Sequence, residues 1–195
     1  QNFLCLGQQQ TPEDYENNLP DFSEMFTKHT RRANQIVVAI SGGSKASLAS
    51  LQIIKQIGNF ETLDCLYVQP DVRFLSGASQ LRQRLVYGVL QEYCRSGMFK
   101  RLYLASNLQI ENRFSENLST LSYYEDINDL IVSCFEYHRL FAQLKPIHHS
   151  VGQFPVGVRL CTFGVVNAET LEERLLFPLA DIQESIYYFA FPEEQ

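Results

Sequence analysis

The stretch from Ile36 to Ile57 constrains the fold more than any other part of the chain. Its first five residues, Ile36 to Ile40, are apolar and predict a buried strand, and the small residues Ser41 to Ser44 predict a tight turn. Apolar residues then recur at helical spacing. Such a turn leaves the first N–H groups of the helix available to an anion such as phosphate, and Lys45 adds charge beside it. Glycines that merely allow close packing of strand and helix are an equally open interpretation.

Composition excludes several classes of function. Lys and Arg number 16 against 22 Asp and Glu, a net charge of −6, so we expect no nucleic-acid binding. The apolar runs are too short to span a bilayer and no signal segment is evident, so we expect a soluble, cytoplasmic protein. The five cysteines are widely spaced without a CxxC pair, which indicates thiols of a reducing compartment. The adjacent His148 and His149 have no acidic neighbour, so we predict no metal site.

Strands alternate with helices beyond the first stretch. Leu63 to Val68 and Arg101 to Ala105 predict two further strands, and apolar positions from Leu81 to Tyr93 predict a helix between them. This alternation predicts an α/β fold with a doubly wound parallel sheet. In such sheets ligands bind at the carboxyl ends of the strands. The residues expected at that edge are Gly7, Ser41 to Gly43, Pro70, Asp71 and Asn107.

The flanking segments carry weaker patterns. Asn2 to Gly7 predicts a first strand, Gln8 to Asn18 a linker or a surface excursion, and Glu111 to Asn117 a loop. A long helix follows from Ser122 or Thr120 to Leu144, and its apolar residues on nearly every face indicate burial between layers. The last patterns predict a strand at Val158 to Val166, a helix from Thr170 to about Ala180 and a strand at Ile186 to Phe191.

The order of these parts resembles the tubulin/FtsZ superfamily of GTP-binding, filament-forming proteins. SGGSKAS at Ser41 to Ser47 is similar to its phosphate loop, and Leu66 to Arg73 is similar to its next strand and nucleotide-facing loop. Asn107 and Asn128 match the positions at which the family turns polar residues toward the guanine or ribose. The stretch ETLEERLLFPLADIQESIYYFAF is similar to a helix, a Pro-Leu turn and a strand of the family's second domain.

The resemblance implies a nucleotide-binding domain at residues 1–121, a central helix at 122–145 and a partial second α+β domain at 146–195. It implies GTP or GDP as the ligand, with Mg²⁺ accompanying it, and head-to-tail self-association into cytoskeletal filaments. The nucleotide-binding residues it implies are Gly7, Gln8, Ser41, Gly42, Gly43, Ser44, Lys45, Pro70, Asn107 and Asn128.

Hydrolysis stays open at this point. The family brings an acidic residue to the nucleotide from the segment after its central helix, but Lys145 to Pro155 contains no Asp or Glu. We therefore assign no catalytic residue, and GTPase activity is expected only if the missing acidic residue is supplied elsewhere. The departures from the family's pattern, including Lys45 within the loop, fit a viral or plasmid origin.

Two alternatives remain. The SGG turn also resembles the SGG-x-D-S loop of N-type ATP pyrophosphatases, adenylating enzymes in which an aspartate stands where this chain has Lys45. A second alternative is an interaction module that keeps a tubulin-like fold without hydrolysing nucleotide. Nucleotide preference separates the three hypotheses, because they predict GTP, ATP with adenylation, and no binding, respectively.

Overall fold

The computed structural model of the chain describes residues 7, 9, 11–30, 35–57, 63–114, 121–144 and 159–189. In chain order its elements are α1 (Pro12–Asn18), α2 (Ser23–Thr30), β1 (Ile36–Ser41), α3 (Lys45–Ile57), β2 (Leu63–Gln69), a 3-10 turn (Val72–Phe74), α4 (Gly77–Ser96), β3 (Arg101–Ser106), α5 (Asn107–Phe114), α6 (Tyr123–Gln143), β4 (Leu160–Thr162), β5 (Gly164–Val166) and β6 (Glu173–Leu175).

The main sheet has four parallel strands in the order β1-β2-β3-β4. The predicted α/β class and the parallel sheet are confirmed, and the three long strands lie within one residue of their predicted ends. Strand order does not reverse among these four strands, so the described sheet lacks the reversal at which doubly wound folds bind ligands. Strands β5 and β6 form a separate antiparallel pair.

Helices pack on both faces of the main sheet at β3, because successive side chains of a strand point to opposite sides, whereas Val37 and Ala39 of β1 are exposed. In β3, Leu102 and Leu104 pack with α3 and α4, whereas Tyr103 and Ala105 pack with α5 and α6. The first core is completed by residues including Leu48, Ile54, Tyr67, Val86 and Leu90. The second is completed by Leu66, Ile110, Ile127, Ile131, Phe135 and Leu176.

The prediction of a linker at Gln8 to Asn18 is wrong over its described part, because α1 occupies most of it. The Thr11 side chain accepts a hydrogen bond from the Asp14 N–H, and the Asp14 carboxylate accepts one from the Thr11 N–H, both at 3.1 Å. Pro12 stands at the first helical position, where it loses no hydrogen bond. The helix buries Tyr15, which is 3% exposed, in the first core.

Two expectations about the middle of the chain are also corrected. Helix α5 extends to Phe114, so the first residues of the predicted loop at Glu111 to Asn117 are helical, while 115–117 lie outside the described residues. Helix α6 is buried along one face only. Its opposite face exposes apolar side chains by half or more, among them Val132 (54%), Tyr137 (60%) and Leu140 (51%).

The C-terminal part differs most from expectation. The predicted strand at Val158 to Val166 is two short strands in different sheets, separated at Phe163. The predicted helix at Thr170 to Ala180 is wrong, since β6 lies there. The predicted strand at Ile186 to Phe191 is wrong over 186–189, which have no regular structure; its last two residues lie outside the described ranges.

The backbone of Leu176 explains this difference. Its N–H donates to the Phe163 carbonyl and its carbonyl accepts from the Ser106 N–H, both at 2.8 Å. These bonds hold the end of β6 in an extended form beside the end of β3. They stabilise the extended chain more than the helical spacing of the leucines stabilises a helix. Strand β4 and Leu176 thereby join the described part of the C-terminal segment, residues 159–189, to the main sheet and the second core. Among the helices described, none has the length and apolarity of a membrane span.

Candidate functional site

The register of the main sheet aligns three of the predicted site residues at one edge. Ser41 pairs with Val68, and Val68 pairs with Ala105. Gly43, Pro70 and Asn107 each follow one of these residues by two positions. Because neighbouring strands lie about 4.8 Å apart, the three chain segments leave the sheet side by side. We refer to this region as the carboxyl edge.

The glycine turn at the carboxyl edge is packed from inside the protein. Gly42 is buried, and a Cβ atom added there would overlap the hydroxyl of Tyr67 and lie 3.1 Å from Cγ of Gln83. Gly43 has φ = +88°, a left-handed conformation that favours glycine. Its carbonyl accepts a hydrogen bond from Nε of Arg82 at 3.1 Å. Close packing was one reason for a glycine that the sequence left open. It therefore explains the glycine at position 42.

The turn leads directly into α3. Ser44 caps the helix, because its Oγ accepts from the Ser47 N–H at 3.1 Å. The Ser47 hydroxyl donates to the Ser44 carbonyl at 2.5 Å and is buried, so it points into the turn. Ser41 and Ser44 are exposed and Lys45 is half-buried. The side chains that remain accessible to an anion here are those of Ser41, Ser44 and Lys45.

The two predicted asparagines have different environments. Asn107 is the first residue of α5 and is half-buried, and its Oδ1 is a buried acceptor without a hydrogen-bond partner among the described residues. A buried amide oxygen left unpaired costs free energy, so it favours any ligand that supplies a donor. Asn128 is exposed on the second turn of α6. Within the described ranges, no hydrogen bond connects Asn128 to the carboxyl edge.

The first predicted site residues stand apart from this arrangement. Gly7 is exposed, and a Cβ added to it would meet only the Gln9 side chain, at 4.0 Å. Gln8 and the predicted strand before Gly7 lie outside the described residues. The structure therefore brings together the turn from Ser41 to Lys45, Pro70 and Asn107, and it does not bring Gly7 to them by any described contact.

Asp71 was expected at this edge, but the charged cluster that it forms there with Arg73 and Glu111 was not predicted from the sequence. Asp71 is 7% exposed. Its carboxylate accepts two hydrogen bonds from Nε of Arg73, at 2.9 and 3.0 Å, and one from a terminal nitrogen of Arg73 at 2.5 Å. The same terminal nitrogen lies 2.8 Å from Glu111 of α5, and the Tyr123 hydroxyl of α6 lies 3.5 Å from that carboxylate. The cluster connects the end of β2 to α5 and α6.

This cluster and the glycine turn differ in net charge. The hydrogen bond with Arg73 lowers the pKa of Asp71, and the same bond raises the pKa of Arg73. Two carboxylates and one guanidinium give the cluster a net negative charge, which disfavours phosphate there. The turn with Lys45 is thus the better place for an anion. Asp71 in the N-terminal position of the 3-10 turn was the sequence signal for the cluster.

No family model and no curated protein matches this chain at a significant level.

Proposed function

We propose that this chain is a tubulin/FtsZ-like GTP-binding protein that assembles head to tail into cytoskeletal filaments. One observation carries the proposal: the register of the parallel sheet aligns the glycine turn, Pro70 and Asn107 at the carboxyl edge. The sequence resemblance assigns the phosphate loop, the nucleotide-facing loop and a base contact to these same three segments. Residues as far apart in the chain as Ser41 and Asn107, 66 positions, thus lie along one edge, and we place the nucleotide there.

The phosphates of the nucleotide would lie at the glycine turn. Helix α3 is 13 residues long, so its N-terminus carries the partial positive charge of the helix dipole. The exposed hydroxyl groups of Ser41 and Ser44 and the ammonium group of Lys45 add hydrogen-bond donors. Mg²⁺ would be bound chiefly by the phosphates, because the Asp71 carboxylate is already occupied by Arg73.

The base would lie toward Asn107. The Oδ1 atom of Asn107, which has no hydrogen-bond partner among the described residues, accepts hydrogen bonds, and the N1–H and exocyclic amine of guanine are adjacent donors that suit an amide oxygen. Asn128, exposed near the start of α6, supplies the second amide that the resemblance implies. The γ-phosphate of bound GTP would add negative charge at the turn, and its loss would change the contacts available to the next subunit.

Equilibrium binding of fluorescent GTP, with unlabelled GTP, GDP and ATP as competitors, tests the proposal. We expect GTP to compete at least tenfold better than ATP, and Asn107→Ala to lower GTP affinity by about tenfold, the effect of one lost hydrogen bond to a buried partner. Asn112→Ala is the matched control, because Asn112 is an exposed asparagine on the same helix. Light scattering with and without GTP then measures assembly.

Each contrary result has a definite meaning. Preference for ATP with formation of an adenylate would support the pyrophosphatase alternative and refute the proposal. Absence of binding by any nucleotide would support the interaction module. Binding of GTP without any concentration-dependent rise in scattering would refute filament assembly and leave only the nucleotide-binding part of the proposal.

A further inference from the structure

Helix α4 contacts the glycine turn through two consecutive residues. Arg82 bonds to the carbonyl of Gly43, and the side chain of Gln83 lies against Gly42. Neither residue belongs to the candidate nucleotide-binding set. Both come from a helix that starts 34 positions after the turn, so the contact is a product of the fold and not of local sequence.

The contact beneath Gly42 is made by a buried pair. Nε2 of Gln83, which is 4% exposed, donates to the hydroxyl of Tyr67 at 3.2 Å, and Tyr67 has no exposed surface. Burial raises the pKa of Tyr67 to about 12, so its hydroxyl stays protonated at neutral pH. The hydroxyl occupies the space in which a side chain at position 42 would lie. Tyr67 therefore packs against the buried side of the turn, and it cannot reach a ligand on the exposed side.

The contact with Gly43 fixes the orientation of a peptide group. Nε of Arg82 donates to the Gly43 carbonyl at 3.1 Å, and a terminal nitrogen of Arg82 is held by the Ser79 hydroxyl at 2.8 Å. In a planar trans peptide the carbonyl and the following N–H point in opposite directions. Holding the Gly43 carbonyl toward α4 consequently directs the Ser44 N–H away from α4, at the entrance of α3.

We propose that Arg82 and the Tyr67–Gln83 pair are positioning residues that set the glycine turn for phosphate binding. They act through the backbone of Gly42 and Gly43 without touching the nucleotide. The inference rests on the proposed function, because it assigns to α4 the control of how strongly the turn binds phosphate.

The test measures the affinities for GTP and for guanosine by isothermal titration calorimetry. We call the ratio of these two affinities the phosphate increment. A misplaced turn loses contacts to phosphate only, so Tyr67→Phe and Arg82→Ala should each reduce the increment about tenfold and leave guanosine affinity unchanged. A merely structural defect would lower both affinities together. Tyr67→Phe keeps the ring that stacks on Tyr87, with ring centroids 5.3 Å apart, and it changes no charge.

Arg84→Ala is the matched control for Arg82→Ala. Arg84 lies two residues further along α4 and is exposed, so the substitution removes the same charge from the same helix without disturbing the turn. We expect Arg84→Ala to retain the full phosphate increment. An equal loss in both arginine variants would show that long-range charge explains the effect, and it would overturn the positioning role of Arg82.

A second measurement does not depend on nucleotide. Gly42→Ala should lower the urea midpoint of unfolding, because the new methyl group overlaps the Tyr67 hydroxyl, and the shift should be smaller in a Tyr67→Phe background. Equal shifts in the two backgrounds would overturn the contact on which the inference depends. If the wild-type chain binds GTP but both variants keep the full increment, the inference alone fails. If the wild-type chain binds no GTP, the proposed function fails and the inference with it.

Discussion

His138 is a titratable residue held in an apolar setting. It is 9% exposed on α6, and its Nε2 lies 3.1 Å from the hydroxyl of Tyr103 on β3. The rings of Tyr103, Phe163 and Tyr188 surround it, with centroids between 5.6 and 6.4 Å from its own. Burial, with a smaller contribution from the charge of Arg101, lowers its pKa from 6.5 to about 4.

Lowering the pH should destabilise the fold through His138. A histidine whose pKa is lower in the folded state contributes stability that is fully present above pH 6.5 and is lost as pH falls toward 4. Between pH 7 and pH 5 the free energy of unfolding should fall by about 2 kcal/mol through His138 alone. Urea unfolding of the wild type and of His138→Gln, which keeps a hydrogen-bonding side chain, measures the difference.

The comparison between the two proteins isolates His138 from its neighbours. Asp64, whose pKa is raised by burial, and the paired Asp71 and Arg73 change both curves alike. Burial raises the pKa of Tyr103 and of Tyr188, whose rings face the imidazole, so both stay protonated between pH 5 and 7. A pH slope of the same size in His138→Gln would show that the imidazole is not the group that titrates.

Individual residues also show where sequence reasoning reached its limit. The SGG letters and the strand before them were sufficient to locate the turn, and the end of β3 was sufficient to locate Asn107. Tyr67, Arg82 and Gln83 were not recognisable as its supports, because 16 positions separate Tyr67 from Gln83 and 39 separate Gly43 from Arg82. The rotation of α4 about its axis, relative to the sheet, determines which of its side chains face the turn. Hydrophobic periodicity does not specify this rotation.

At the scale of elements, α1 is a seven-residue helix whose stability depends on its first turn. Isolated helices of this length are marginal, so the capping box and the packing of Tyr15 must stabilise it. Thr11→Ala removes the side-chain acceptor for the Asp14 N–H and should lower the free energy of unfolding by about 1 kcal/mol. Thr11→Ser retains the hydroxyl and should cost much less. Chemical denaturation of both variants measures the effect, and an equal loss in the two would contradict a capping role.

The elements differ in how far local sequence specified them. Strands β1 to β3 each contain a run of mostly apolar residues that is bounded by polar ones, so they were predicted within one residue. The signal for α1 was also present, in Thr11, Pro12 and Asp14, although the polar composition of the segment hid it. The leucines after Thr170 have helical spacing, but backbone bonds from Leu176 to Ser106 and Phe163 favour an extended chain. No local pattern reports those distant partners.

Within the described part of the chain, two hydrophobic cores share one sheet. Cys65 of β2 belongs to the core under α3 and α4 and has no exposed surface, whereas Ile131 of α6 belongs to the core on the opposite face and is 2% exposed. Alternate residues of β3 line both cores, so strand pairing depends on both. The two faces should consequently unfold together.

Ile131→Ala tests this coupling from one face to the other. Deleting the buried methylene groups should lower the free energy of unfolding by about 2–5 kcal/mol. Cys65 reports on the other face, since burial raises its thiol pKa and shields it from alkylation until the sheet opens. Pulsed alkylation along a urea gradient, read by mass spectrometry of the peptide containing Cys65, should therefore show its midpoint shifted by the same amount as the far-UV circular dichroism. If Cys65 keeps its wild-type midpoint while the helical signal is lost earlier, the two faces unfold separately, and α6 is held by a local contact and not by a common core.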